Sequence, residues 1–186
     1  MKKLVAAMLC LALSLMCAVG LANEKIDPSE LQIGVIMIGD TSDMGFNYSH
    51  LVGLQEMQKN LGIEDRQITI LENVADDSTC ADAISELISN GCNVIIGNSF
   101  GFQTYMYEAA AQHPEVLFCH YSGLLQNDTN FCRFNARNYQ TRYLQGIAAA
   151  MRSESGKIGF VGAFKNAEVN VSLNAYAPGA QSVNPD

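Results

Sequence analysis

Short apolar runs alternate with longer amphipathic stretches along most of the chain. The apolar runs predict strands at residues 31–38, 67–71, 92–96, 116–120 and 157–161. Apolar side chains spaced three and four residues apart predict helices at residues 48–61, 76–90, 103–112, 141–151 and 168–175. Because strands separated by helices form right-handed βαβ units, the sequence predicts an α/β fold with a doubly wound parallel sheet.

Three loops follow strands of this predicted sheet and are expected to meet at one edge. They cover residues 39–47, 97–102 and 121–130, after the first, third and fourth strands. In open parallel sheets, ligands bind outside the carboxyl ends of the strands, near the point where the strand order reverses. We therefore expect the functional site to lie among these loops.

The first loop is dense in groups that can recognise a small molecule. Phe46 and Tyr48 are large aromatic residues, while Asp43 and Asn47 offer hydrogen-bonding groups suited to heterocycle edges or hydroxyls. A structural explanation is also open, in which Phe46 folds into the core and Asp43 or Asn47 caps the following helix. The two explanations are compatible, since one polar residue can cap the helix while the other contacts a ligand.

The loop after the third strand, Gly97-Asn-Ser-Phe-Gly-Phe102, contains two glycines and precedes a predicted helix. A helix N-terminus can bind phosphate, but this loop has neither the lysine of a P-loop nor the spacing of a dinucleotide-binding motif. Ser99 and Phe100 fit better as a polar and aromatic wall for a neutral ligand.

The sequence shows no obvious catalytic constellation. The histidines His50, His113 and His120 are scattered, and there is no H-x-x-x-H motif, no G-x-S-x-G motif and no convincing pair of carboxylates. A nucleoside hydrolase would need an acidic metal cluster at a strand end, for which Asp40 and Asp43 alone are too few. We therefore expect a binding protein rather than an enzyme, with no cofactor and no metal.

The N-terminus predicts export. Residues 1–22 combine two lysines, an uncharged apolar run and a small-residue cleavage site ending at Ala22, which is typical of a cleavable signal peptide. An uncleaved membrane anchor is the alternative. The chain is acidic, with a formal net charge of −8, and no later apolar run approaches the roughly 20 residues of a membrane span. This charge disfavours nucleic acid and anionic membrane surfaces as partners.

Four cysteines follow the predicted signal peptide, namely Cys80, Cys92, Cys119 and Cys132. Their spacing matches no zinc site, because such sites use closely spaced pairs. Free buried thiols are ordinary within apolar runs, whereas an oxidising compartment permits disulfides, so both states remain open.

Five stretches of the chain, taken in order, resemble the basic membrane protein (BMP) family, whose members are substrate-binding proteins of ABC importers for purines and nucleosides. They are Asp43-Met-Gly-Phe-Asn-Tyr-Ser-His50, Gly97-Asn-Ser-Phe-Gly-Phe102, RNYQTRYLQG at 137–146, GKIGFVGA at 156–163 and GAQSVNPD at 179–186. Any one of these motifs is weak evidence, whereas five in the family's order are specific.

This resemblance implies the fold of a type I periplasmic binding protein, in which two α/β lobes joined by hinge strands close on the ligand. Residues 23–136 would form the first lobe, and residues 137–186 would begin the second. Family members continue beyond the motif that ends here at Asp186 with the rest of the second lobe. We therefore expect the sequence to be a fragment or a truncated reading frame, with an incomplete second lobe.

The resemblance also implies ligand contacts for residues of the three loops and of the second lobe. Phe46 would stack on the base, while Asp43 and Asn47 would address base edges or ribose hydroxyls. The remaining implied contacts are Ser99, Phe100, Ser122, Phe164 and Glu168. Since family members often have an acidic residue at the position of Ser122, the choice between free base and nucleoside stays open.

Together these features predict a periplasmic or otherwise extracytoplasmic solute-binding protein. It would capture a purine base or nucleoside and deliver it to an ABC permease. The alternative is a periplasmic sensor, in which the ligand-bound protein docks on a receptor instead of a permease. Nothing within the polypeptide separates these two functions.

Overall fold

A computed structural model describes residues 26–185 of the chain. The predicted signal peptide, residues 1–22, lies outside the described residues. Within them, five parallel strands form one sheet in the order β2-β1-β3-β4-β5. The strands are β1 (Ile33–Ile36), β2 (Ile68–Leu71), β3 (Val94–Gly97), β4 (Leu117–Tyr121) and β5 (Phe131–Phe134). The predicted α/β class and parallel sheet are therefore confirmed.

The strand order reverses beside β1. This strand pairs with β2 on one side, where Ile33 faces Ile68, and with β3 on the other, where Ile33 faces Val94. The chain therefore leaves β1 towards one edge of the sheet and returns to build β3, β4 and β5 towards the other. The loops that follow β1 and β3 lie at this switch point, where open parallel sheets bind ligands.

Helices follow β1, β2, β3 and β5, and a second helix comes after the one that follows β5. They are α1 (Phe46–Leu61), α2 (Thr79–Ser89), α3 (Gln103–Gln112), α4 (Asn138–Arg152) and α5 (Ala167–Gln181). α1 ends where the sequence predicted, at Gly62, whose φ of 69° is the left-handed conformation that glycine adopts without strain. None of the helices among residues 26–185 is long and apolar enough to cross a membrane.

The two faces of the sheet carry separate apolar clusters. α2 and α3 cover one face, where the fully buried Leu87, Met106 and Phe118 belong to a single large cluster. α1 covers the other face, where Val35 and Leu54 belong to a smaller cluster. Alternation of side chains along each strand sends neighbouring residues to opposite faces, so both faces of the central strands are apolar.

One predicted strand is absent from the structure, and one observed strand was missed. Residues 157–161 form no strand, although their composition is strand-like. A strand needs a neighbour for its backbone hydrogen bonds, and residues 157–161 are not part of the sheet that the described residues form. β5 was not predicted, because it is short and three of its four residues are exposed.

The helices α4 and α5 pack against each other through two glycines. A Cβ atom on Gly146 would lie 2.0 Å from the carbonyl oxygen of Tyr176, and one on Gly179 would lie 2.1 Å from the carbonyl oxygen of Tyr143. The two backbones therefore approach closely enough that no side chain fits at either position.

Candidate ligand-binding site

The first turn of α1 is held by the carboxylate of Asp43. Its two oxygens accept hydrogen bonds from the backbone N–H groups of Gly45 at 2.9 Å, Asn47 at 2.9 Å and Tyr48 at 3.0 Å. These donors, led by that of Tyr48, hold the pKa of the Asp43 carboxyl at about 2. The capping role considered for Asp43 is thus confirmed, and the residue is ionised at neutral pH.

A chain of buried amides ties α1 to the ends of β1 and β3. The side chain of Asn47 donates to Asp43 at 3.0 Å, and its carbonyl oxygen accepts from the Asn98 amide at 2.8 Å. Asn98 in turn accepts from the backbone N–H of Ile38 at 3.0 Å. Asn47 and Asn98 are almost fully buried, so these hydrogen bonds replace solvent and fix the position of the helix start.

Four aromatic rings meet beside this anchored helix start. The ring of Phe46 packs edge to face on His50 and Tyr121, with centroids 4.8 and 5.9 Å apart. Tyr121 also contacts Phe134 in the same manner, at 5.5 Å. Phe46 remains 44% exposed, so the alternative in which it folds into the core is wrong.

A cavity of about 790 Å³ opens beneath these rings. Its apolar floor comes from the sheet and from α1, including Val35, Leu54 and Ile96, and all four aromatic rings line it. This volume lies within the range of about 300–1,000 Å³ that small-molecule sites occupy. The cavity is therefore large enough for a heterocyclic ligand.

Apolar groups make up most of the surface of this large cavity. The Nε of Arg142, at its wall, is buried without a hydrogen-bond partner among the described residues. The polar residues outside the aromatic cluster are Ser49, Asn98, Asn135, Asn138 and Arg142. Burial lowers the pKa of His50, so its imidazole is neutral at neutral pH. A mostly apolar wall with a small number of donors suits a neutral aromatic molecule that carries hydrogen-bonding edges.

A second, smaller cavity of about 150 Å³ brings together three of the predicted site residues, Phe100, Ser122 and Glu168. Ser122 adopts a φ of 65°, which is uncommon for a residue other than glycine, and its hydroxyl is buried without a partner among residues 26–185. A backbone strained at a cavity wall, with a free hydroxyl, is typical of a functional position.

The stretch after β5 separates the two cavities. Asn135, Ala136 and Asn138 line both of them. The side chain of Asn138 donates to the hydroxyl of Tyr121 at 2.7 Å, which links the start of α4 to the aromatic cluster. The loops of the sheet and the helices α4 and α5 therefore meet at this stretch.

Other predicted site residues lie outside both cavity walls. Asp43 and Asn47 use their polar atoms within the protein, as described above. Ser99 is buried, with its hydroxyl donating to Asp76 at 3.0 Å and its carbonyl oxygen 2.7 Å from the Nε2 of His120. Phe164 is 59% exposed and lines neither cavity.

Sequence reasoning missed several residues of the cavity walls. Tyr121 and Phe134 end neighbouring strands, and their meeting depends on a strand that was not predicted. His50 was set aside as scattered, although it lies four residues after Phe46, which places the two on one helix face. The four-residue spacing could have identified His50 as a neighbour of Phe46. No cluster of three or more potential metal ligands occurs in the part of the chain that the structure describes.

Comparison with known proteins gives two curated relatives that are more than 30% identical to this chain. A purine-binding protein from Brucella abortus is 36% identical over 165 residues, covering 89% of this chain and 45% of the relative. A putative ABC transporter glucose-binding protein from Haloferax volcanii is 34% identical over 152 residues, covering 81% of this chain and 38% of the relative. The chain thus spans less than half the length of these curated relatives.

A solved structure and a family model also match this chain. An ABC transporter solute-binding protein from Aeropyrum pernix K1 superposes with a TM-score of 0.68 at 17% identity, over 83% of this chain and 44% of that protein, which shows the fold. The family described as "ABC transporter substrate-binding protein PnrA-like" matches residues 30–186. The predicted resemblance is confirmed, and the chain belongs to this family, Bmp.

Proposed function

We propose that this chain is the ligand-capturing part of an extracytoplasmic solute-binding protein that delivers a purine base or nucleoside to an ABC permease. Membership of a substrate-binding protein family supports the transport role and a location outside the cytoplasm. The purine-binding protein from Brucella abortus supports the ligand class. The predicted signal peptide fits the same location.

The observation that carries the proposal is the placement of Phe46. Its ring stands at the mouth of the large cavity and is half exposed, while edge contacts with His50 and Tyr121 fix its orientation. The ring is partly exposed, and an aromatic ring held in this way can stack on a purine, whose faces are apolar. The exposed face of Phe46 is accordingly the stacking surface.

The polar recognition falls to residues with unused hydrogen-bonding capacity. Ser122 and Glu168 in the small cavity, and Asn138 between the two cavities, can address the edge of a base or the hydroxyls of a ribose. Phe100 adds an apolar contact at the small cavity. Asp43 and Asn47 act on the ligand indirectly, because they position Phe46.

In this proposal, the sheet with its helices is the first lobe, and the helices after the sheet belong to the second. Residues 26–136 contain the whole sheet, and the helices α4 and α5 within residues 137–185 begin the second lobe. Closing of the second lobe over Phe46 would bury the ligand, with the stretch around Asn135 acting as a hinge. The exposed Phe164 would then face the ligand from the second lobe, whereas the buried Ser99 would support the first-lobe wall from within.

Calorimetric titration tests the ligand class. We expect adenine, adenosine, guanosine or inosine to bind with saturable heat, and glucose to produce none. Saturating ligand should also raise the melting temperature, because stabilisation grows as RT ln(1 + [L]/Kd). Binding of glucose with no response to any purine would overturn the proposal, and would instead favour the function named for the Haloferax relative. Release of free base during the titration would show an enzyme.

A further inference from the structure

Two of the four cysteines lie directly opposite each other on neighbouring strands. Cys119 of β4 pairs in register with Cys132 of β5, and their sulfur atoms are 3.4 Å apart. Neighbouring strands lie about 4.7–4.9 Å apart, inside the range of Cα separations that a disulfide can span. Both are free thiols here, and their sulfur atoms are already in contact.

We propose that Cys119 and Cys132 are a redox modification site, which an extracytoplasmic disulfide reagent converts to a disulfide between β4 and β5. The protein would meet such an oxidant outside the cytoplasm, and that location rests on the proposed function. The geometry of the pair does not depend on it, and the site belongs to neither of the cavities described above.

The two cysteines differ in access, which sets the order of the chemistry. Cys132 is exposed, whereas Cys119 is partly buried among the apolar residues of the α1 face. Burial and the neighbouring Cys132 raise the pKa of the Cys119 thiol to about 12. Cys132 is therefore the thiol that an external oxidant reaches first.

With glutathione disulfide as the oxidant, the reaction balances in two exchange steps. The thiolate of Cys132 attacks one glutathione sulfur, the glutathione S–S bond breaks, and one glutathione thiolate leaves. The sulfur of Cys119 then loses its proton and attacks the sulfur of Cys132, which forms the intramolecular bond and releases the second glutathione. Two protein thiols are oxidised, and one disulfide is reduced to two thiols.

The bond would act on the edge of the sheet. β5 is the last strand of the sheet, with a neighbour on one side only, and Phe134 lies on the same face of β5 as Cys132, two residues further on. A covalent link from β5 to β4 would hold this edge strand, and with it one wall of the large cavity, against fraying.

Peptide mapping can identify the bond without ambiguity. Cleavage after glutamate and before aspartate places Cys80, Cys92, Cys119 and Cys132 on four separate peptides. We would incubate the folded protein with glutathione disulfide, block the remaining thiols under denaturing conditions and digest it. The expected product joins peptides 116–127 and 128–154, has lost about 2 Da relative to the two free thiols, and separates on reduction.

Three variants provide the controls. Cys132→Ser should abolish the linked peptide, and Cys119→Ser should leave Cys132 as a glutathione adduct. Cys80→Ser should leave the linked peptide unchanged, because Cys80 is fully buried on the opposite face of the sheet. The oxidised wild-type protein should melt at a higher temperature than its reduced form, and Cys132→Ser should show no such shift.

Several outcomes would overturn the proposal. These are a glutathione adduct on Cys132 of the wild-type protein without the linked peptide, a bridge that involves Cys80 or Cys92, a disulfide between two copies of the chain, and the absence of any reaction. Because ligand is not part of the measurement, failure here leaves the proposed binding function intact. Failure of purine binding would equally leave the disulfide result unchanged.

Discussion

The two faces of the sheet differ in how completely they are covered. On the face of α2 and α3, residues such as Phe102, Met106 and Phe118 are fully buried in one continuous cluster. On the face of α1, the helix covers β1, while Phe134 and Cys132 at the far edge remain exposed. One face therefore stabilises the fold, and the other leaves room for the large cavity. Stability and the proposed binding site are divided between the two sides of the same strands.

The largest expected effect distinguishes the faces by their contribution to stability. Phe118→Ala should lower the free energy of unfolding by about 3–5 kcal/mol, because it removes a fully buried ring and leaves a void. The matched change on the other face, Phe134→Ala, should cost less than about 1 kcal/mol, since that ring is 44% exposed. Urea denaturation measures both. Equal losses would show that the open face contributes to stability as much as the closed one.

The amide chain at the switch point is the next test. Asn98→Ala should lower the free energy of unfolding by about 1–3 kcal/mol, because it leaves the carbonyl oxygen of Asn47 buried without a partner and removes the acceptor of the Ile38 N–H. Asn60→Ala, on the exposed side of α1, should change stability by no more than about 0.5 kcal/mol. If the two variants are equally stable, the amides do not fix the helix start.

Substitution at the cavity on the α1 face of the sheet should change the affinity for purines more than the stability. Phe46→Ala should weaken purine binding by about 1–3 kcal/mol, or roughly 5- to 140-fold in Kd, through the loss of stacking. Tyr48→Ala is the matched control, because Tyr48 lies two residues away and lines neither cavity. Calorimetric titration measures both variants. An unchanged Kd for Phe46→Ala would rule out the stacking surface.

The smallest expected effect is a dependence on pH at the start of α1. The pKa of Asp43 is lowered to about 2, so its hydrogen bonds stabilise the protein fully above the ordinary carboxyl pKa of 3.8. This contribution should be lost as the pH falls from about 4 towards 2. Urea midpoints of the wild type and of Asp43→Asn, measured from pH 5 to pH 2, should converge at the acid end. A constant difference would place the stabilisation elsewhere.

The strands in the middle of the sheet could be predicted from the sequence, whereas the short edge strand β5 could not. β1 and β3 are apolar on both faces and are recognisable from composition alone. β5 is an edge strand of four residues, and Arg133 interrupts its apolar residues, so no continuous apolar run marks it. Residues 157–161 have a strand-like composition, but a strand forms only where another strand can pair with it.

The candidate site was predictable to the extent that it depends on local sequence. Phe46 could be identified because it is an aromatic residue in the predicted loop after the first strand. The helix cap by Asp43 could be inferred from its position before a predicted helix. Tyr121 and Phe134 belong to the site through the order and register of β4 and β5. Tertiary geometry of this kind brings together residues that local patterns cannot connect.

The buried amides at the switch point have a consequence for the thermodynamics of binding. Asn47 and Asn98 hold the first turn of α1, and so the backbone of Phe46, in place before any ligand arrives. Ordering a flexible wall on association costs free energy, which reduces affinity. In this protein that entropic cost falls on folding rather than on binding, so a ligand in the large cavity would meet a wall whose backbone is already fixed.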